Sequence, residues 1–439
     1  MTTTFVPGEL SEADVLALSS ERGEPDWLRD RRQEAFKAFA DLEWPHKRME
    51  AWRMTDPARF DLANPVVRDA GPAPAQPASI VRGAGDAAAS AVLSDTGLCE
   101  VHPGDTGVVI ADLSQAAGGE RADVVQAELG HTVGAEGKFE ALSLAAFTGG
   151  ALVYIPPEVE LDRPVTLTVH VDAPGTHLPR VLVVADHHAH ASVYVAFTGN
   201  AEATVVDGVE MVARQGASLD VVTAQQWGLE VDQISTRRGR AGRDARYRHL
   251  EATLGGGIVY LRPDVELAGE GAAGELLGVY FVETGQHVEH RSLIDHTASH
   301  TSSEALYKGA LQGDCRAAWY GNIRIEANAK QTSSDETNRN LILTDDARAD
   351  SIPWLEILTS DVAGCGHHSS IGQIDELQLF YLESRGIPRA EALQMLVFGF
   401  FSEVTDRIEL PGVTPVVLEE IASTIDREAI VLTDPRRSG

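Results

Sequence analysis

The sequence predicts a mainly β chain whose strand-rich middle is flanked by helical segments at both ends. Three observations carry that prediction. Between about residues 150 and 358, short alternating runs of apolar and polar residues dominate, separated by Gly, Asp, Asn and Pro. Before about residue 68 and after residue 372 the apolar spacing is helical instead. Within the middle a loose self-similarity recurs, a small or charged cluster followed by an alternating run. It shows at Ala191-Ser192, Gly216-Ala217-Ser218, Asp244-Ala245-Arg246, Gly271-Ala272-Ala273, Asp314-Cys315-Arg316 and Asp346-Ala347-Arg348. The intervals are roughly 25 to 45 residues, the range of solenoid rungs that stack their strands and bury a shared interior. Their irregularity leaves a β-sandwich open on pattern alone.

Residues 1–68 form the first helical segment. Pro25 sits near a helix start, and Leu28, Ala35, Phe39 and Leu42 recur at helix-like spacing before Pro45 stops the run. Residues 69–91 are Gly, Pro and Ala with few large apolar side chains, which predicts a linker. Residues 92–149 form a mixed segment, with short helices expected over 124–129 and 138–147. The β core is expected over 150–371. Its strands read as 151–155, 165–171, 180–185, 192–197, 219–224, 246–253, 276–282 and 318–325. Residues 372–439 turn helical again. Asp375 can cap a helix carrying Leu377, Phe380 and Tyr381 on one face. Gly386 fits its C-terminal stop, and Pro388 fits the first turn of the next helix. There Leu393, Leu396, Val397, Phe400, Val404 and Ile408 form an apolar stripe, ended by Pro411-Gly412. A last helix is expected over 416–425.

Composition bounds the function. The chain has 439 residues, 43% of them hydrophobic, enough for two or three domains or one elongated body. A formal charge of −30 repels phosphate backbones and argues against nucleic-acid binding. Residues 1–10 lack the basic and apolar regions of a secretory signal, and no apolar run is long enough to span a bilayer. Cys99, Cys315 and Cys365 are scattered and form no CxxC, so no disulfide framework is expected and a reducing cytoplasmic setting fits best. No phosphate-cradling GxxxxGK[ST] loop is present; residues 134–139 read G-A-E-G-K-F, too short and without the hydroxyl. Neither a GxSxG elbow nor a Rossmann fingerprint occurs in its required setting.

The densest chemistry lies over residues 353–387. An apolar strand runs into Cys365-Gly366-His367, read as a turn, and then into the helix capped by Asp375. Thiolate and imidazole both donate to borderline-soft metals, iron and iron–sulfur clusters among them. The same residues also fit a buried cysteine beside a hydrogen-bonded histidine. The adjacent His368 reads as a surface residue, with a second ligand as the alternative. Of two further groups, His187, His188 and His190 are split by strand alternation, and His287, His290, His296 and His300 form a looser set; both read as polar residues on solenoid faces or turns. Either would need ligands from another rung to hold a metal. In the helix over 389–408, Phe398, Phe400 and Phe401 cannot all face one core. They pack against neighbouring helices or form a docking surface.

Three stretches carry a family resemblance. Residues 44–56 read W-P-H-K-R-M-E-A-W-R-M-T-D. Residues 331–343 contain Thr337-Asn338-Arg339-Asn340-Leu341. Residues 353–387 contain the Cys365 and His367 pair and a F-Y-L-E-S-R-G-I run. Together they resemble the SufB/SufD scaffold proteins of bacterial iron–sulfur cluster assembly. SufB proteins carry a cysteine in a T-Q-C-D segment where residues 337–341 have none, and glutamates where Gly366 and His368 flank His367. The resemblance is therefore to the SufD branch. It implies a right-handed parallel β-helix over 150–371, and a non-catalytic scaffold subunit. It implies pairing with a SufB paralogue and docking of the ABC-type ATPase SufC, which would supply ATP hydrolysis. It implies that His367 contributes to cluster assembly, as a metal donor at the contact with SufB, with Cys365 beside it. It places SufC docking within 380–401, a region that includes Phe380, Tyr381, Arg385, Phe398, Phe400 and Phe401. No cofactor is expected to be held tightly by the chain alone. A transient cluster would form at the interface with SufB, and the isolated chain could homodimerise. The rival readings are a cytoplasmic β-helix polysaccharide enzyme and a cupin-like oxygenase using His188 and His190.

Overall fold

Consecutive strands of the core do not pair with each other; each pairs, in parallel, with the strand two places ahead. The computed structural model describes residues 5–67, 87–95 and 97–408. Its strands fall into two ten-stranded sheets, and from Pro179–Ala185 onward the chain crosses from one to the other at every strand. The strand in the opposite sheet thus serves as the crossover that any parallel pair requires. The result is a parallel β-solenoid of about eight turns. One position in the first sheet steps through His190, Ser218, Arg246, Ala273, Ser302, Ser333 and Gly364. Each turn therefore takes about 27 to 31 residues, within the solenoid range.

Parallel register stacks like positions into columns along the solenoid. One inward column reads Ala91, Leu167, Val195, Thr223, Glu251, Gly278, Tyr307, Asn338 and Ser369. The interior is accordingly apolar in the early turns and polar in the later ones. Aromatic rings in the later turns fit because glycine lies beside them. Tyr280 is paired with Gly309, and Tyr307 with Gly278. A β-carbon at either glycine would overlap the neighbouring ring.

Both outer faces are also covered. The short helices α1 (Glu12–Glu21), α2 (Asp26–Asp41), α3 (Leu113–Gly118), α4 (Ala122–Glu128) and α5 (Lys138–Ala146) precede or enter the coil. From these, Phe39, Phe139 and Leu142 pack with Val206, Ile234 and Tyr260 on the outside of the second sheet. After the last strand come α6 (Glu376–Ser384) and α7 (Arg389–Thr405). The latter lays Val397, Phe401 and Val404 on Leu277, Val279 and Leu306, outside the first sheet.

The W-x-x-T part of the 44–56 motif fixes the N-terminal segment to the solenoid. Trp52 stacks on Tyr260, with ring centroids 4.2 Å apart and planes 10° apart. Thr55, fully buried, donates to Glu289 at 2.5 Å and shares a 2.7 Å hydrogen bond with His287. Arg32 is buried with Glu24, donating to both carboxylate oxygens at 2.7 and 2.6 Å, and its guanidinium lies 3.5 Å from the Phe147 ring centre.

Several expectations are corrected by this architecture. Every strand read from the sequence falls within an observed one, but the stretches between them are strands too, such as Ala203–Ala213, Val231–Ala241 and Ile258–Leu267. They were hidden because both faces are buried, so apolar–polar alternation is lost. Parallel stacking begins before residue 150: Ala89–Ser94 pairs in parallel with Val165–Val171. Most of the predicted linker, and the predicted helix over 416–425, lie outside the described residues. Pro388 stands at the N-cap of α7 rather than in its first turn. Helix α1, not read from the sequence, starts at a capping box of Ser11 and Asp14.

A fully buried ion pair joins the helical cover to the second sheet. Glu210 accepts from Arg180 at 2.7 Å and from the backbone N–H groups of Gly130, Thr132 and Val133. Glu210→Ala removes every one of these acceptors and strands a buried guanidinium. Denaturant unfolding should show a loss of about 3–5 kcal/mol. A loss under about 1 kcal/mol would mean that the pair is dispensable to docking.

Candidate functional site

A coil of parallel strands ends in two unpaired edges. Here these are the outer edges of Arg348–Ile357 and Val362–Gln373, the last strands of the two sheets among the described residues. Such edges expose a row of backbone donors and acceptors ready to pair with another chain. Large apolar side chains lie exposed around this end: Trp354, Ile357, Leu358 and Ile371. Among the described residues, the combination makes this end a candidate docking surface.

Cys365 and His367 sit on this edge. The sequence placed them in a turn after the last strand; they lie inside the last strand instead, two residues apart and on the same face. Their register partners are Ser334 and Glu336, on the inward-facing side of Thr332–Ile342. A thiol and an imidazole are therefore held side by side at the mouth of the solenoid interior. Cys365 is half-buried, against Ile323, Ile325 and Ala329; His367 is exposed. His368 points the other way, 3.4 Å from Asp335 on the outer face. The sequence's reading of it as a surface residue agrees with this position.

Electrostatics at the mouth keep protons on. Burial pushes the Glu336 carboxyl up to about 8, against a weaker opposing hydrogen bond from the Trp354 backbone. Burial, and then the negative charge of Glu336 and Asp335, push the Cys365 thiol up as well. Resting Cys365 is thus a protonated thiol rather than a free thiolate. Glu336 was not singled out in the sequence, although it lies within the 331–343 motif. The signal was its place two residues before Asn338, on the column that leads to His367.

The other histidine groups come apart. His287 faces out to Thr55, whereas His290 and His296 face in, to Thr253 at 2.9 Å and to Thr301 and Ser303 at 2.7 and 2.9 Å. Burial pushes His287 and His296 down to about 4 and His290 to about 3, so they remain neutral. His187 and His188 lie exposed in a turn before His190. Among the described residues no three His, Cys, Asp or Glu side chains gather as a metal site. A groove of about 620 Å³ lies between the N-terminal segment and the second sheet, walled by Trp52, Tyr260, Tyr320 and Trp354.

The C-terminal helices divide the aromatic residues into two sets. Asp375 caps α6, accepting from the Leu377 N–H. On α6, Leu377, Phe380 and Tyr381 are exposed by 77, 68 and 56%. Arg385 donates to the Tyr381 hydroxyl and lies over its ring. On α7, Phe401 is fully buried, which corrects its expected place on a partner surface. Phe398 and Phe400 are half-buried. Lys308 fastens the helix, donating to the Phe400 carbonyl at 2.7 Å and meeting Glu403 at 2.5 Å.

The family model described as SUF system FeS cluster assembly, SufBD core domain, matches residues 168–400. A curated iron–sulfur cluster assembly SufBD family protein of Mycobacterium bovis is 34% identical over 407 residues, covering 88% of this chain and 90% of the relative. One from Mycobacterium tuberculosis matches to the same extent. A Staphylococcus epidermidis protein of the family is 29% identical over 281 residues, 63% of this chain and 60% of the relative. The chain belongs to the SufBD family. The matched SufBD core runs from the early turns into α7, so it contains the open end, Cys365, His367, all of α6 and most of α7. Among the described residues no helix is long and apolar enough to cross a membrane.

The raised Glu336 carboxyl has a consequence for stability. A carboxyl that holds its proton more tightly when folded stabilises the folded state fully below its unfolded value, near 4.5, and loses that contribution as pH rises through about 8. The denaturation midpoint of the chain should therefore fall between pH 4.5 and 8 by more than that of Glu336→Gln. Parallel pH curves for the two would place the carboxyl in water instead.

Proposed function

We propose that this chain is a SufD-type, non-catalytic subunit of a SufB–SufC–SufD scaffold that assembles iron–sulfur clusters in the cytoplasm. The observation that carries the reading is the position of His367, inward-facing on the free edge strand, beside a neighbouring strand whose residues 337–341 hold no cysteine. A histidine there can donate to iron or accept a proton at a shared interface, while the cluster-building thiol comes from the partner. The partner is a SufB paralogue, joined edge to edge so that its strands continue both sheets. The cluster is transient cargo at that junction, and the chain alone holds none tightly.

The exposed face of α6 supports the second partnership. Leu377, Phe380 and Tyr381 form an apolar patch with Arg385 at its side, the composition of a protein contact centre. The ABC-type ATPase SufC docks there and supplies ATP hydrolysis. Phe401 and Val397 act beneath, holding α7 to the solenoid so that α6 is presented.

Co-expression with SufB and SufC tests the reading. His367→Ala should leave the three-subunit complex assembled and lower its iron and sulfide content by about tenfold. Cys365→Ser should lower it less, because its thiol is held protonated, and His368→Ala should have almost no effect. Full loading of the His367 variant would remove this residue from assembly.

The docking patch has its own test. Phe380→Asp should weaken SufC capture by about 2 kcal/mol or more, with circular dichroism unchanged. Phe401→Asp, by contrast, should lower the thermal midpoint, since it buries a charge against the sheet. Unchanged capture by the Phe380 variant would move the ATPase site elsewhere.

A further inference from the structure

Many polar residues inside the middle turns find protein partners, although His249 Nδ1 and Gln225 Nε2 have none among the described residues. Thr223 bonds His249 and Glu251 at 2.7 and 2.9 Å, and Arg237 holds Glu251 at 2.6 and 2.7 Å. Asp207 accepts from Gln233 and Ser235 at 2.6 and 2.5 Å. Nearer the open end, four such groups lie together. His290, Tyr307, Trp319 and Glu336 are each exposed by at most 1%. Each nevertheless has a polar atom without a partner among the described residues: Nδ1 of His290, the Tyr307 hydroxyl, Nε1 of Trp319 and Oε1 of Glu336.

These four are neighbours. The His290 and Tyr307 rings lie 5.8 Å apart by centroid, and so do Tyr307 and Trp319. Trp319 and Glu336 both border the inward face of Gly321, where a β-carbon would overlap the indole and crowd the carboxylate. Glu336 is in turn the register partner of His367 at the mouth. The cluster therefore runs without a break from the interior to the open end.

Buried polar groups in native proteins are satisfied by protein or by ordered water. Indole only donates, whereas imidazole, phenol and a protonated carboxyl do either. Water does both, so a few molecules can bridge all four groups where direct contact does not. Small residues lie inward among them: Ser292 and Gly321 are register partners, as are Ser303 and Ser334.

We infer that the last turns of the solenoid hold a connected cluster of ordered water molecules, bound by His290, Tyr307, Trp319 and Glu336 and opening at Cys365 and His367. The ligand is water itself; the buried Glu336 carboxyl and the absence of an unpaired cation among these four groups select against anions. This site stands independently of the assembly role proposed above. It makes the mouth the outlet of a hydrated recess, not a cap on a dry core.

Nuclear magnetic resonance on the full chain, with ¹⁵N-labelled tryptophan, tests it. The chain has six tryptophans, so six indole signals are expected, and Trp319→Phe identifies one of them. The Trp319 indole proton should show cross-relaxation with long-lived bound water. Trp227 is the internal comparison: it is also buried, and it donates to Gln233 at 2.8 Å, so it should show none. Glu336→Leu should weaken the Trp319 water signal by about half or more; an unchanged signal would break the connection to the mouth. No water signal at Trp319 in the unaltered chain would overturn the proposal. If Trp319→Phe fails to fold, a high-resolution crystal structure decides it: solvent density on at least three of the four atoms supports the cluster, and a dry interior refutes it.

Discussion

Parallel register is the constraint from which the rest of this structure follows. Because each strand of the coil pairs in parallel with the one a full turn later, an inward position on one turn is inward on all of them. A side chain inside the coil meets its equivalents above and below rather than unrelated partners. That is why hydrophobic columns such as Ala91, Leu167 and Val195 can be extended turn by turn, and why one large ring forces glycine onto the next turn. It also explains how charged groups survive inside: Arg237 and Glu251 face each other across the two sheets and satisfy one another at hydrogen-bonding distance.

The same constraint makes the ends of the coil different from its sides. On the sides, α2, α5 and α7 cover the sheets, and the covering contacts are dense, apolar and locked by buried ions such as Arg32 with Glu24 and Arg180 with Glu210. At the C-terminal end of the coil, backbone groups of two strands face outward with exposed Trp354, Ile357 and Ile371 about them. A solenoid tolerates such an end when it is capped or joined. In a SufBD family member the residues best suited to metal and proton chemistry, Cys365 and His367, stand on that end and not in an enclosed pocket. On the proposed reading, function follows from incompleteness: the site is half of an interface.

Placement on a strand matters more than proximity in sequence. Cys365, Gly366, His367 and His368 are contiguous, yet alternation sends the first and third to the mouth and the fourth to the outer face beside Asp335. The same rule disperses His287, His290 and His296, so that a group which looks like a ligand cluster on paper becomes three side chains bonded to different neighbours. Glu336 reaches the mouth from thirty-one positions earlier in the chain, one turn below His367.

Taken alone, the sequence determined the class of fold and its order. Alternating runs, breakers and the Asp375 and Gly386 signals specify helices, then strands, then helices, because those signals act over a few residues. Its motifs also carried the family. Turn-level repeats were visible but irregular, and many strands were not read, because residues buried on both faces carry no alternation. Whether Cys365 and His367 lie in a turn or a strand was beyond local pattern: the Gly-rich 364–372 stretch has weak strand propensity, and only pairing with Thr332–Ile342 makes it extended. The burial of Phe401 against the exposure of Phe380 was likewise set by which helix the sheet accepts. Tertiary structure alone decided what meets across a turn, because contact between residues about thirty apart depends on register, and register is a property of the whole coil.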